Sequence, residues 1–332
     1  MEPAVTDSVH IPTRVCGGSP GVRHCQTTVP RPRLFFFNEQ PSGALDDTFT
    51  APVVTQLAQL GAGVSMALLD LSDTRAEVVR RLTRAGVAVH GWLLVPREQG
   101  YFATHHNAPV VGQAFDAFCA WKERHQLEVS TVGLDFEPDV RELDALMAAP
   151  ARTLARWFTS RSRGLALDAA LDSYRALVRR MRAQGFTVET YQFPFVVDDR
   201  RAGTRFWQRT LGVLDVEADR QVLMLYTSLM GALGPGLLEH YAPGAQAIGV
   251  GSTGGGIDPF PKLSTRALER DLRVAARHAP DVYVFSLEGL VQRTATDALI
   301  SIKWDEPVPE SLARRLAAGA AARVLGALAR LG

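Results

Sequence analysis

The chain has 332 residues, of which 46% are hydrophobic and 21% charged, a composition typical of a globular protein with a sizeable core. Its 36 basic and 35 acidic residues leave a net charge of +1. A nucleic-acid partner is therefore not expected, because such proteins usually carry a basic excess. No apolar run approaches the ~20 residues of a membrane span or the core of a signal peptide, so we expect no membrane partner. A cytoplasmic location follows as an expectation, although a wrongly assigned start codon could hide a leader.

Residues 1–32 are rich in Pro, Gly, Thr and Ser and lack hydrophobic periodicity, which predicts a disordered extension. The chain has three cysteines, which cannot all pair within one molecule, so a disulfide framework is not expected. Cys16, His24 and Cys25 could be metal ligands, but no second cluster completes a site, and we predict no metal and no cofactor.

From Arg33 onward, eight short apolar runs alternate with longer amphipathic stretches. The predicted strands are 33–38, 63–71, 86–95, 129–137, 186–195, 221–229, 246–254 and 281–289. Helical periodicity covers much of the intervening chain, with Gly86 and Gly185 as C-caps. Strand–helix alternation implies parallel strands, and eight repeats predict a single-domain (β/α)8 TIM barrel over residues 33–332. A doubly wound open sheet is the alternative.

The segment after the eighth strand predicts a helix that closes the barrel. Pro309 suits its first turn, and four apolar residues fall near one face: Leu312, Leu316, Val324 and Leu328. The same stripe could instead be exposed for self-association. The sequence does not fix an oligomeric state.

The active site of such a barrel lies at the C-terminal ends of its strands. Polar side chains cluster at these ends: Asn38, Glu39, Asp70, Arg97, Glu98, Asp135, Glu137, Gln192, Tyr226, Ser252, Thr253 and Glu288.

The stretch 131–140, TVGLDFEPDV, holds two of these acids on one strand. Residues i and i+2 of a strand point the same way, so Asp135 and Glu137 share a face and apolar Phe136 takes the other. Two adjacent carboxylates in a partly dry mouth cannot both ionise freely, so the pKa of one rises and it can hold a proton for general-acid catalysis. Alternatively, Glu137 and Asp139 are ordinary exposed acids before a helix.

The GLDFEPD segment resembles the end of the fourth-strand signature of family 18 glycoside hydrolases, D-G-x-x-D-x-D-x-E, with the final D-x-E on Asp135 and Glu137. The resemblance implies a barrel hydrolase in which Glu137 protonates the glycosidic oxygen and Asp135 orients the acetamido group of the substrate. Two further segments resemble the family: LMLYTS, with Met224 and Tyr226, and FSLEG at 285–289.

The chain departs from that family at several positions. Ser130, Thr131 and Gly133 stand near the upstream acids of the signature, Thr227 replaces the acid after the tyrosine, and Phe285 replaces a tryptophan. Glu288 offers a second carboxylate, since the pattern VYVFSLEG permits Val284, Ser286 and Glu288 on the inward face. Glu288 would then oppose Glu137 across a sugar, as a nucleophile or a base. Alternatively, it caps the next turn.

Polar and aromatic side chains at the strand ends predict a carbohydrate site, because sugar rings stack on aromatic faces. The predicted substrate-binding residues are Trp92, Arg97, Tyr101, Tyr191, Gln192, Asn38 and Glu39. Trp92 is equally compatible with core packing. Tyr226 is predicted to hydrogen-bond the reacting sugar, beside the catalytic set of Glu137, Asp135 and Glu288.

Other functions remain compatible with the same barrel. Five glycines (Gly249, Gly251, Gly254, Gly255 and Gly256) could wrap a phosphate, which would suit a phosphosugar enzyme. The acids Glu39, Asp70, Asp135, Glu137 and Glu288 could hold a divalent cation for a lyase or isomerase. A carbohydrate-binding barrel without catalysis is a further alternative. We predict a glycoside hydrolase.

Overall fold

A computed structural model describes residues 14–15, 26–27, 30–159, 163–254, 261–308 and 312–330 of the chain. Arg14–Val15 and Gln26–Thr27 form a two-residue antiparallel pair. The other residues before 30, with Cys16, His24 and Cys25 among them, lie outside the described residues, and so does most of the extension that the sequence predicts to be disordered. Cys119 is a free thiol.

Eight parallel strands form one closed barrel, which confirms the predicted TIM-barrel fold. In chain order they are β1 (Arg33–Asn38), β2 (Gly63–Ala67), β3 (Ala88–Leu93), β4 (Thr131–Phe136), β5 (Thr187–Gln192), β6 (Arg220–Met224), β7 (Ala247–Gly251) and β8 (Asp281–Phe285). Each strand pairs with its neighbours in the chain, and β8 pairs with β1. Every strand except β1 ends before its predicted limit, because the chain there leaves the sheet for the loops of the barrel mouth.

Helices surround the barrel and fill the connections between strands. They are α1 (Leu45–Thr48), α2 (Ala51–Leu60), α3 (Asp73–Arg84), α4 (Ala108–Arg124), α5 (Val140–Ala148), α6 (Pro150–Thr159), α7 (Arg163–Ala183), α8 (Val196–Ala202), α9 (Phe206–Leu211), α10 (Gly234–Tyr241), α11 (Thr265–Ala276), α12 (Leu287–Gln292), α13 (Thr296–Ile300) and α14 (Leu312–Ala329). Short 3-10 turns cover Ser42–Ala44, Arg97–Gln99 and Thr227–Leu233. None of the helices in the described ranges is long and apolar enough to cross a bilayer.

Strand alternation divides the core into two layers. One face of each strand packs against the surrounding helices, as Phe136 of β4 does against Tyr174 of α7, with ring centroids 5.0 Å apart. The opposite face fills the barrel interior with large aromatic side chains, among them Phe37, Trp92 and Tyr191. The interior is therefore a packed core, and only its C-terminal end is available for a site.

The N-terminal end of the interior, which we call the floor, contains a network of ion pairs around two buried acids, Asp281 and Glu189. Arg33 at the start of β1 binds Asp281 at the start of β8 through two hydrogen bonds of 2.6 and 2.8 Å. Arg220 donates to Asp281 at 2.6 Å. Glu189 contacts His90 Nδ1 at 3.1 Å, so the floor ties β1, β3, β5, β6 and β8 together.

The predicted apolar stripe of the last helix is buried only in part. Leu328 packs against a core cluster that contains Trp157 and Trp207, whereas two other positions fit the alternative of an exposed stripe. Leu316 and Val324 of α14 are 62% and 59% exposed, and alanines on the helix, among them Ala318 and Ala322, are buried instead. α14 lies against α8, α9 and α10, where small side chains allow a close approach of helices. The seam between β8 and β1 is covered by α12, which contacts both β1 and α1.

Candidate active site

The two acids of the fourth strand both face the barrel mouth, the C-terminal end of the interior. Phe136 points outward into the helix layer, so Asp135 and Glu137 take the inward side. Asp135 is 2% exposed, and Glu137, one residue past the end of β4, is half-buried. Asp135 Oδ1 has no hydrogen-bond partner among the described residues. The strand therefore delivers one deep and one shallower carboxyl group to the same place.

Burial and mutual repulsion favour the protonated forms of this pair. Burial is the main cause that raises the pKa of Asp135 well above its usual value, and the charges of Glu137 and Glu39 add to it. Burial, followed by the charge of Glu39, raises the pKa of Glu137 to about 8. Among the described residues, no Arg, Lys or His forms an ion pair with either acid. A proton can therefore be held on the pair at neutral pH.

Tyr226, two residues past the end of β6, faces the same acids. Burial raises the pKa of its hydroxyl well above the usual range, and the charges of Asp135, Glu137 and Glu39 raise it further. Its ring lies 5.7 Å from that of Phe285 at the end of β8. The phenol thus stays protonated and can donate a hydrogen bond into the mouth.

Glu39 brings a third carboxylate to the mouth from the end of β1. The hydroxyl of Tyr101 donates to Glu39 Oε1 at 2.5 Å. Burial raises the pKa of Glu39 to about 7, opposed by the Tyr101 hydrogen bond and supported by the charge of Glu288. Arg97 lies 5.7 Å from the Tyr101 ring and pairs with Asp144 at 3.0 Å on the exposed rim. Glu39, Tyr101 and Arg97 therefore form one side of the mouth.

Glu288 occupies a different place from the one that the sequence predicts. Tyr283 and Phe285 face the interior, whereas Val284 packs outside, so the predicted inward face of β8 is wrong. The chain turns into α12 at Ser286, and Glu288 reaches back to β1 from the first turn of that helix. Its carboxylate accepts from Asn38 Nδ2 at 3.0 Å and from the backbone N–H of Glu39 at 3.2 Å. Glu288 and Asn38 therefore hold the segment that carries Glu39.

Three of the predicted substrate-binding residues lie below or outside the mouth. Trp92 is 3% exposed and packs on Phe37 and Tyr191, and its indole N–H interacts with the carboxyl group of Asp135, whose pKa it lowers against the larger effect of burial. The Tyr191 hydroxyl lies 2.7 Å from Ser65 Oγ inside the barrel. Gln192 alternates with Tyr191 along β5 and shares the outward side with Val188, fully buried.

A glycine in β4 makes room for this interior packing. A Cβ added at Gly133 would stand 2.3 Å from the hydroxyl oxygen of Tyr191 and 2.5 Å from its Cζ atom. No other residue fits without displacing the ring, because such distances are far inside van der Waals contact. Gly133 thus sets the position of Tyr191 beneath Asp135, two residues further along the same strand.

The proposed phosphate loop and cation cluster receive little support from the side chains. Gly249 and Gly251 belong to β7 itself, and Gly255 and Gly256 lie outside the described residues. Asp70 is engaged by Arg75 at 2.9 Å, which helps hold its pKa below the usual range. Over the described ranges, no three His, Cys, Asp or Glu side chains are grouped to hold a metal ion.

Sequence reasoning missed Arg75, the fully buried cation that braces the first two loops of the mouth. Its guanidinium donates to Ala67 O at 2.8 Å and to Gln40 O at 3.0 Å, besides pairing with Asp70. Arg75 sits in the first turn of α3 within an ordinary amphipathic pattern. Nothing in that pattern distinguishes it from the more accessible arginines of the same helix.

Two cavities in the described part of the chain lie among the outer elements, away from the acids. One of about 520 Å³ is lined by Arg200, Asp215 and Gln221, and one of about 340 Å³ by His240, Arg277 and His278. Arg200 and Gln221 already bind each other at 2.8 Å. The unpaired acids, rather than these spaces, mark the candidate active site.

Comparisons with known proteins return similarities of shape alone. No family model matches the chain, and no curated protein matches its sequence. A GH18 chitinase from Pseudoalteromonas aurantia superposes with a TM-score of 0.49 at 8% identity, over 82% of this chain and 100% of that one. The PgaB (BpsB) glycoside hydrolase domain from Bordetella bronchiseptica gives 0.48 at 12% identity, over 82% and 99%. A D-psicose 3-epimerase gives 0.44 at 10% identity, over 81% and 97%. These similarities carry no functional argument.

Proposed function

We propose that the protein hydrolyses a glycosidic bond at the mouth of the barrel, with Glu137 as the proton donor. One observation carries this proposal: Asp135 and Glu137 stand side by side at the C-terminal end of β4 and face inward, and no Arg, Lys or His in the described ranges is paired with either. Structural acids that are buried in proteins are normally paired, and perturbed unpaired acids at a barrel mouth are typical of catalysis.

Glu137 is better suited than Asp135 to deliver the proton. Its pKa of about 8 keeps it protonated at neutral pH, and its half-buried position lets it reach a bound substrate. Asp135 lies deeper, with a free carboxyl oxygen, and the charge of Glu137 helps to raise its pKa, so the protonation of the two acids is linked. We therefore assign Asp135 the role of tuning and orienting Glu137.

The substrate is proposed to be a carbohydrate that enters between the walls carrying Tyr226 and Tyr101. Tyr226 would hydrogen-bond the reacting sugar, and Arg97 at the exposed rim would contact a more distant part of it. Trp92 and Tyr191 would act from below by holding the aromatic layer under Asp135. The reaction uses side chains of the protein and requires no cofactor.

Hydrolysis of a panel of aryl glycosides tests this proposal. Glu137→Gln should lower kcat/KM by about 10²–10⁴-fold, with the greatest loss for poor leaving groups, which depend most on protonation. Glu98→Gln is the matched control, because Glu98 is an exposed acid on the same rim. Activity should fall as the pH rises through about 8, since Glu137 then loses its proton.

Three outcomes would replace the proposal. Thermal stabilisation by sugars without any turnover would indicate a carbohydrate-binding barrel. EDTA-sensitive turnover of free sugars or sugar phosphates would indicate a metal-dependent lyase or isomerase. Equal activity of wild type and Glu137→Gln on substrates with poor leaving groups would show that Glu137 is not the proton donor.

A further inference from the structure

We propose that Glu39 is the second catalytic carboxylate of this site, the base that takes a proton from the attacking water. The inference rests on the proposed hydrolase function and extends it to the other half of the reaction. It starts from the unusual number of contacts that fix the short segment Asn38–Gln40 at the end of β1.

The backbone on both sides of Glu39 is held by buried charged side chains. Glu288, 1% exposed, accepts the N–H of Glu39 at 3.2 Å. Arg75, fully buried, donates to the carbonyl of Gln40 at 3.0 Å. Placing two charged groups in the interior is costly, so their use to fix one short segment indicates that its position matters.

The side chains of the segment are fixed as well. Gln40 Oε1 accepts from Asn38 Nδ2 at 3.0 Å and from Thr48 Oγ1 at 2.6 Å. The carboxylate of Glu39 accepts the Tyr101 hydroxyl at 2.5 Å. Tyr101 itself has a φ of 67°, a left-handed conformation that is uncommon for a residue other than glycine. A half-buried acid with no chemical task would not require this support.

The placement of Glu39 suits a base opposite the proton donor. β1 and β4 are separated by β2 and β3 on one side and by four strands on the other, so their ends stand on different walls of the mouth. The charge of Glu39 nevertheless raises the pKa values of both Asp135 and Glu137. In enzymes that invert the anomeric carbon, the two carboxyl groups lie about 6.5–9.5 Å apart, which leaves room for a sugar and a water molecule.

The ionisation of the two acids is consistent with these roles. The groups that face Glu39 are Tyr101, Glu288, Arg97, Asp135 and Glu137. Its pKa of about 7 lies below the value of about 8 for Glu137. Near neutral pH, Glu39 is thus the more ionised of the two, as a base must be.

The reaction balances with these two side chains and water. Ionised Glu39 takes one proton from water while the water oxygen forms a bond to the anomeric carbon. The bond from that carbon to the glycosidic oxygen breaks, and its electron pair takes the proton of Glu137. The products are a hemiacetal sugar of inverted configuration and an alcohol. Glu39 ends protonated and Glu137 ionised, and exchange with solvent restores both.

A mechanism with two protein carboxylates sets the substrate class. The attacking group is water activated by Glu39, so the substrate needs no 2-acetamido group to act as an internal nucleophile. We therefore expect turnover of glycosides that carry a plain hydroxyl at carbon 2.

The test uses the full chain and aryl glycosides without an acetamido group. Glu39→Gln should lower kcat by about 10²–10⁴-fold, the range for removal of a general base, with Glu98→Gln unchanged as the control. Nuclear magnetic resonance of the first-formed product should show the inverted anomer. Glu39→Gln should be at least as stable as wild type in thermal unfolding, because the raised pKa of Glu39 opposes its ionisation in the fold, and it should keep the sugar-induced stabilisation. These two measurements separate loss of chemistry from loss of fold.

Tyr101→Phe provides a readout that a purely structural role would not give. The Tyr101 hydrogen bond lowers the pKa of Glu39, so its removal should move the acidic limb of the kcat profile to higher pH. The basic limb, which reports Glu137, should stay in place.

The outcomes separate this inference from the proposed function. If Glu137→Gln is inactive while Glu39→Gln keeps more than a third of the wild-type rate, the hydrolase stands and the role of Glu39 is refuted. A product of retained configuration would also refute the role of Glu39 as the general base. If wild type turns over no glycoside of the panel, both proposals fall.

Discussion

The floor and the mouth of the barrel contain the same kinds of acid in opposite electrostatic situations. At the floor, burial alone would raise the pKa of Glu189, but His90 and Arg220 outweigh it and hold that pKa below its usual range. At the mouth, burial acts on Asp135 and Glu137 without a counter-charge from any residue that the structure describes, and their pKa values rise. Counter-charges, rather than depth, therefore decide whether a buried acid stabilises the fold or remains available for chemistry.

The largest effect should come from removing a floor acid. Glu189→Ala leaves the buried Tyr283 hydroxyl, which donates to Glu189 at 2.7 Å, without its acceptor. Arg220, which lies 3.4 Å from Glu189, keeps only Asp281 as a partner. Breaking such a pair typically costs about 3–5 kcal/mol, and we expect a loss toward the lower end since Arg220 is partly exposed. Urea denaturation measures it. A change below ~1 kcal/mol would mean that the floor network is dispensable.

Gly133→Ala tests the boundary between the two regions. The added methyl group collides with the Tyr191 ring, so we expect a loss of about 1–3 kcal/mol in the free energy of unfolding and reduced turnover. Gly319→Ala in α14 is the control, since a Cβ there meets nothing within 4 Å and alanine favours a helix. Equal unfolding curves for the two variants would show that Tyr191 moves aside freely.

Removing a mouth acid should increase the free energy of unfolding at high pH, whereas removing a floor acid should decrease it. The pKa of Glu137 is raised from 4.5 to about 8 on folding, so its stabilising protonation is complete below pH 4.5 and is lost as the pH rises through 8. Glu137→Gln should therefore be more stable than wild type at pH 9, by about 1–3 kcal/mol, and equal to it near pH 4. Thermal unfolding across this pH range measures the difference.

Glu98→Gln serves as the control for that experiment as well, because it removes an acid from the exposed rim. Its unfolding temperature should follow wild type at every pH. If Glu137→Gln also follows wild type at pH 9, the mouth does not hold Glu137 in the protonated form.

Arg97→Ala should have the smallest effect of the series. Arg97 and Asp144 are 59% and 52% exposed in their side chains, so their ion pair contributes less than ~1 kcal/mol. The pKa of Glu39 should rise slightly, because Arg97 is the last of the causes that lower it. If the pH profile of Arg97→Ala shifts as far as that of Tyr101→Phe, Arg97 is a true counter-charge of Glu39. The mouth would then differ less from the floor.

The sequence predicted the barrel because each strand carries its own signal. Runs of apolar residues with turn signals at each end identify strands locally, and their number requires closure. The inward direction of Asp135 followed from Phe136 for the same reason, since alternation depends only on neighbouring residues.

The predictions failed where side-chain placement depends on contacts far apart in the chain. Val284 was expected inside because small residues suit a crowded interior, yet Tyr283 faces inward and stacks on Phe35, with ring centroids 4.8 Å apart. Leu316 was expected to be buried by helical periodicity, but it is exposed, and α14 packs through alanines together with Leu325 and Leu328. The bracing of Glu39 by Glu288 and Arg75 could not be predicted, because it joins three loops that only the closed barrel brings together.

The bidentate bond between Arg33 and Asp281 joins positions 248 residues apart. The first strand therefore cannot acquire its second neighbour until nearly the whole barrel sequence exists. Ordering so long a segment before its ends meet carries a large entropy of loop closure and slows folding. During synthesis on the ribosome, β1 must wait with one edge unpaired until β8 emerges, and the segment that carries Glu39 reaches its final position only at that last step.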